Sequence, residues 1–110
     1  MFHGTGIRKD VIFVCKTSEV PASACREFVV DRRRFLICER NGSYYAHSSS
    51  CPHQGNSLDG AQIWGDAIDC PWHHYLFDLV TGTNLYPKGT PALRTYPAEV
   101  RDGAVFVALQ

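Results

Sequence analysis

The chain has no apolar run of the roughly 20 residues that a membrane span requires. Its first ten residues, Met1 to Asp10, contain no hydrophobic segment of the kind found in a signal peptide. Excess charge is also missing. Eleven Lys/Arg balance eleven Asp/Glu over 110 residues, so no global field draws the molecule to nucleic acid or to an anionic membrane. Between residues 41 and 87 there is no Lys or Arg at all, while Asp59, Asp66, Asp69 and Asp78 fall there. That acidic middle is either a solvated face or a docking surface for a basic partner. The five cysteines, an odd number, argue against a full disulfide framework. A reducing, cytoplasmic compartment is therefore expected. Linkers, repeats and low-complexity segments are absent, so one domain over residues 11–110 is expected, preceded by a flexible N-terminus over 1–10.

Helical apolar faces are absent too. What is present is a series of short period-2 runs broken by turns. Strands are predicted over Val11–Lys16, Cys25–Val30, Phe35–Arg40, Tyr44–Ser48, Ile63–Trp64, Ala67–Cys70, Tyr75–Leu79, Arg94–Arg101 and Ala104–Ala108. Asn41-Gly42 and Asp102-Gly103 are hairpin turns, because such pairs accept positive φ. Pro97 interrupts one run and marks a strand start or an edge. The pattern implies an all-β fold, a small antiparallel sandwich or barrel. Cys15, Cys25 and Cys38 lie in strand-like runs and are read as small core residues, although Cys25 and Cys38 could face each other on paired strands. Arg32-Arg33-Arg34 is read as a solvated hairpin turn, and His47 as structural.

The most specific feature is a C-x-H…C-x-x-H frame: Cys51 and His53 in CPHQG, then Cys70 and His73 in CPWHH, with sixteen residues between His53 and Cys70. Each pair sits on one tight loop, and a single loop could not surround a two-metal cluster. Two loops brought together could, each giving one Cys and one His. Pro52 and Pro71 stiffen the turns, and Gly55 permits close backbone approach. Such a set could also hold zinc, but zinc sites more often pair two cysteines within one short loop.

These residues, with CPHQGNSL and CPWHHYLFDLVTG around them, resemble the Rieske [2Fe–2S] family, and most closely its soluble ferredoxin group. The resemblance runs over most of the chain. It implies a β-sandwich with two cluster-binding loops and one [2Fe–2S] cluster held by Cys51, His53, Cys70 and His73. The cysteines would hold one iron and the histidines the other. Imidazole binds neutral and thiolate anionic, so the histidine-bound iron should accept the electron, and reduction should raise the pKa of an outward-facing imidazole nitrogen.

Gly55, Trp72, His74 and Pro91 are candidate cluster-loop residues. Pro91 closes Pro87-Lys88-Gly89-Thr90-Pro91, in the region of a proline-bearing loop that covers the cluster in the family. His74 stands where the family commonly has Gly, and surface is its expected role. Whether Trp72 is an exposed docking aromatic or packs under the cluster is left open by the sequence. Respiratory members carry a disulfide at positions matching Asn56 and Trp72, and hydroxyl donors at positions matching Tyr75 and Phe77. Their absence implies a potential near the low end of the family range of about −150 to +300 mV.

The expected function is that of a soluble one-electron carrier passing electrons from a reductase to a terminal oxygenase. It is an oxidoreductase component and not an enzyme in itself, with no nucleic-acid or membrane partner, and it is expected to be monomeric. A self-sufficient oxygenase needs a mononuclear iron site with two histidines and a carboxylate, and beyond His73 only His74 remains. The alternatives are a small Rieske subunit of a nitrite-reductase-type complex and a zinc-stabilised interaction module. Retention of all four ligands favours the carrier.

Overall fold

The computed structural model describes residues 11–52, 55–72 and 74–109. The N-terminus expected to be flexible, 1–10, lies outside them. Eleven strands form three antiparallel sheets among the described residues. β1 (Val11–Lys16), β11 (Ala104–Ala108) and β10 (Ala98–Arg101) make the first, in the order β1-β11-β10. β2 (Cys25–Val30), β3 (Arg33–Arg40), β4 (Ser43–Ser48) and β9 (Thr95–Tyr96) make the second. β5 (Gln62–Trp64), β6 (Ala67–Asp69), β7 (Leu76–Asp78) and β8 (Asn84–Tyr86) make the third.

The middle of β3, Phe35-Leu36-Ile37-Cys38, is apolar without alternation, because both faces of the strand are covered. All four side chains are buried. Phe35 and Ile37 pack with Val105, Val107 and Cys15 on one side. Leu36 and Cys38 pack with Leu58, Ile68, Phe77 and Leu79 on the other. A continuous apolar run is what two-sided burial requires. Cys51 and Cys70 belong to this second cluster, so the core that joins the two four-stranded sheets also carries the roots of both candidate loops.

Two sequence expectations need correction. The run 94–101 is two strands, Thr95–Tyr96 and Ala98–Arg101. The chain leaves β4 at Pro97 and joins β11, and a proline cannot donate into a ladder at that crossing. The reading of Cys25 and Cys38 as separate core residues also fails. They are directly opposed across β2 and β3, with Cα atoms 4.1 Å apart, and form a disulfide. For Cys15 the core reading stands. It is a free, buried thiol, and burial pushes its pKa up to about 12.

Three hairpins turn through two consecutive residues at positive φ: Asp31-Arg32 (51°, 67°), Asn41-Gly42 (52°, 81°) and Asp102-Gly103 (50°, 75°). This is the type I′ pattern, whose twist matches that of the strands. The arginine run therefore divides, with Arg32 in the turn and Arg33 and Arg34 in β3. Arg32 alone occupies the second turn position without glycine's freedom. Replacing Arg32 by Gly should stabilise the fold by about 0.5–1 kcal/mol, since strain removed outweighs entropy added to the unfolded chain. Urea unfolding checks this. An unchanged or lower midpoint would show that the arginine side chain contributes more than its backbone costs.

Candidate metal centre

Both candidate loops are built to one plan. Cys51 N donates to Asn56 O (2.8 Å), and Gly55 N donates back to Cys51 O (2.7 Å). In the second loop Cys70 N donates to Tyr75 O (2.9 Å), and His74 N donates to Cys70 O (3.0 Å). The fifth residue of each loop has positive φ, 78° at Gly55 and 57° at His74. The loops thus repeat a six-residue ring closed by two backbone hydrogen bonds, with the cysteine first and the left-handed residue fifth. Pro52 and Pro71 follow the cysteines, where a missing N–H costs nothing in this pattern.

Gly55 meets the requirement of that φ, and no described protein atom lies within 4 Å of where a Cβ would stand. The matching position tolerates His74, at a local cost of about 1–2 kcal/mol. Asp69 helps to hold it there. Its Oδ1 lies 3.1 Å from His74 Nδ1, while its Oδ2 accepts a hydrogen bond from Trp64 Nε1 at 2.9 Å. The His74 side chain is otherwise solvent-exposed, as expected of a surface residue.

Cys51 and Cys70 are 3% and 1% exposed, and neither is in a disulfide. His53 and His73 lie outside the described residues, and no group of three or more His, Cys, Asp or Glu able to hold an ion is found among those described. The donor chemistry nevertheless fits a mixed-ligand iron–sulfur centre. Two thiols outside any disulfide occupy matched positions on two like loops, and each loop carries one histidine in sequence.

Trp72 is half-exposed and does not pack under the loops. Its Nε1–H donates to Ser57 O at 3.0 Å. Pro91 is exposed. Its loop is fixed by the buried Asn84, whose Oδ1 accepts from Thr90 N (3.2 Å) and whose Nδ2 reaches Leu76 O (3.5 Å), just beyond the second loop. The roles of Ser57 and Asp69 were not read from the sequence. Asp69 directly precedes Cys70, but nothing in its type marks it, and Ser57 acts through its carbonyl, which any residue has.

The acidic middle is largely engaged within the molecule. Asp66 pairs with Arg40 and Asp69 with His74, and Asp59 Oδ1 accepts from Glu27 N. Asp78 caps the turn at Val80 and Thr81. The Thr81 N–H and hydroxyl, with the Val80 N–H, hold the Asp78 carboxyl below its usual range.

Residues 10–97 match the model of the Rieske [2Fe–2S] domain. The chain belongs to the Rieske [2Fe–2S] domain family. The 3-phenylpropionate/cinnamic acid dioxygenase ferredoxin subunit of Photorhabdus laumondii is 31% identical over 101 residues, covering 89% of this chain and 93% of the relative. Among solved structures, a chain from the complex of reduced oxygenase and oxidised ferredoxin in carbazole 1,9a-dioxygenase superposes with a TM-score of 0.78 at 28% identity, covering 92% of this chain and 94% of that one. The ferredoxin of carbazole 1,9a-dioxygenase from Nocardioides aromaticivorans IC177 shares the fold, with a TM-score of 0.82 at 24% identity, over 93% of this chain and all of that one.

This Rieske domain is thus an electron-transfer component that carries a [2Fe–2S] cluster, and not a catalyst in its own right. No described helix is long and apolar enough to cross a membrane.

Proposed function

We propose that Cys51, His53, Cys70 and His73 hold the cluster, and that the chain shuttles single electrons at low potential from a flavin-dependent reductase to a terminal oxygenase acting on an aromatic substrate. The observation that carries this reading is the matched pair of loops, each rooted in the core by a buried cysteine that is not in a disulfide. When bound, the cluster supplies one-electron chemistry. The chain's own residues exclude water from the two thiols and fix the loops that bear them.

Low potential is supported by Phe77, which is fully buried and has no hydroxyl to donate toward the centre. The relatives named above belong to dioxygenase systems for phenylpropionate/cinnamic acid and carbazole, which favours an aromatic pathway. A cytoplasmic location is proposed because the thiols at positions 51 and 70 must stay reduced to bind iron, while the Cys25–Cys38 disulfide is buried away from cytoplasmic reductants. Gly55, Trp72, His74 and Pro91 are proposed to line the centre or its exit surface.

Substitution of each ligand tests the assignment. Cys70→Ser and His73→Ala should abolish the visible absorption of the purified protein. A His73→Ala protein with the full native spectrum would overturn the ligand set.

A further inference from the structure

We propose that Trp72 is a positioning residue, a clasp whose indole N–H ties the second cluster loop to the first and so fixes the spacing of Cys51 and Cys70. The proposal rests on the cluster assignment made above.

Trp72 is 58% exposed, so packing does little to hold it. It faces an open recess of about 410 Å³ shared with Glu27, Ser57, Asp59 and Pro71. Yet its single polar atom is spent on a carbonyl fifteen residues away in the other loop. Trp64 is as exposed, but its N–H stays within its own hairpin, on Asp69. The two tryptophans differ in what they connect. One closes a local turn, while the other links the segment leaving β4 to the segment joining β6 and β7.

The acceptor is itself immobilised. Ser57 pairs with Ser50 across the first loop as an isolated β-bridge. Its hydroxyl donates to Glu27 Oε1 (2.5 Å) and accepts from Asp59 N (3.0 Å). Glu27 lies in β2 and accepts from Arg34 Nε of β3 at 2.6 Å. A continuous hydrogen-bonded path therefore runs from the second loop, through Ser57, to the β2–β3 hairpin. A ligand cage built on two separate loops needs such a path, because each loop alone fixes only one thiol. Well-supported residues around a site hold its geometry more tightly than the site residues can by themselves.

Trp72→Phe keeps the ring and removes the donor. The first reading is the electron paramagnetic resonance signal of the reduced native protein; its absence would overturn the cluster assignment and not the clasp alone. With that signal present, Trp72→Phe should lose its cluster to a chelator about fivefold faster than the native protein, the effect of one net hydrogen bond. It should also show a broadened signal from a spread of iron geometries and faster amide exchange over residues 55–58. Phe13→Leu, at an exposed aromatic of β1 in the sheet that bears neither loop, should leave all three unchanged. If the Phe variant fails to fold, 3-benzothienylalanine at position 72 keeps the indole shape without its N–H and is held to the same expectations. Native chelation rate, linewidth and exchange in the donor-less protein would overturn the clasp.

Discussion

Gly82→Ala should destabilise the protein by about 3–5 kcal/mol, a large share of the 5–15 kcal/mol typical of a small domain. Gly82 has φ +79°, and an added Cβ would stand inside the van der Waals shell of the Leu93 carbonyl oxygen. It would also lie 3.1 Å from the Leu93 carbonyl carbon and from Thr95 Cγ2. Neither obstacle is the flexible end of a long side chain. The backbones are in contact because Leu93 N donates to Gly82 O at 2.8 Å, and Gly82 N is itself engaged with Asp78 O. The substitution therefore adds left-handed strain, overpacking and the loss of a backbone bond. It would also displace buried Leu93 from the core cluster that contains Cys51 and Cys70.

Gly42→Ala is the control. Its φ is +81°, but no described atom lies within 4 Å of the new Cβ, so only the conformational cost of about 1 kcal/mol applies. Chemical denaturation of both variants checks the prediction. Equal losses would show that the Leu93 segment moves aside freely.

The second large effect is acid lability centred on His47. This residue in β4 is 1% exposed, and neither ring nitrogen makes a hydrogen bond of good geometry. Burial lowers its pKa from 6.5 to about 4, against the weaker opposing pull of the Leu79 backbone and the Asp78 carboxylate. Since the folded pKa lies below the unfolded one, the unfolded chain binds the proton first between pH 6.5 and 4. Stability is thus retained above pH 6.5 and falls as pH drops through that window. Two and a half pKa units correspond to about 3 kcal/mol in full, of which about 2 kcal/mol should be lost between pH 7 and pH 5.

Below pH 4 the Asp78 carboxylate, whose pKa is depressed by its turn hydrogen bonds, adds to the loss as it protonates. Urea titrations at pH 7 and 5 on the native protein and on His47→Leu measure the effect. The variant should show a much flatter dependence over this window. An equally steep loss in His47→Leu would move the origin to other groups.

Much of the fold was legible because its causes are local. The glycine-bearing turns Asn41-Gly42 and Asp102-Gly103 marked their hairpins, and period-2 patterning marked most strands. The Asp31-Arg32 turn was not marked by its dipeptide, since it takes the same positive φ pair without glycine. β8, Asn84-Leu85-Tyr86, was missed. It spans three residues, and its pairing to β7, not its own pattern, makes it a strand.

The site divides in the same way. The cysteine positions and the two-loop plan follow from motif spacing. The opposition of Cys25 and Cys38 could be anticipated from strand pairing, but their covalent bond could not. The Trp72–Ser57 and Asp69–His74 contacts depend on how folded loops approach and on a backbone carbonyl that sequence does not distinguish. At Gly55 the residue type was informative, and the left-handed φ of 78° is a reason that the sequence did not state.

The most direct test of the central claim is a redox titration of the anaerobically purified protein followed by electron paramagnetic resonance, with metal analysis of the same sample. A rhombic Rieske-type [2Fe–2S] signal, with two irons per chain and a midpoint near the bottom of the range of about −150 to +300 mV, is the predicted result. A colourless protein containing zinc and giving no signal on reduction would contradict it.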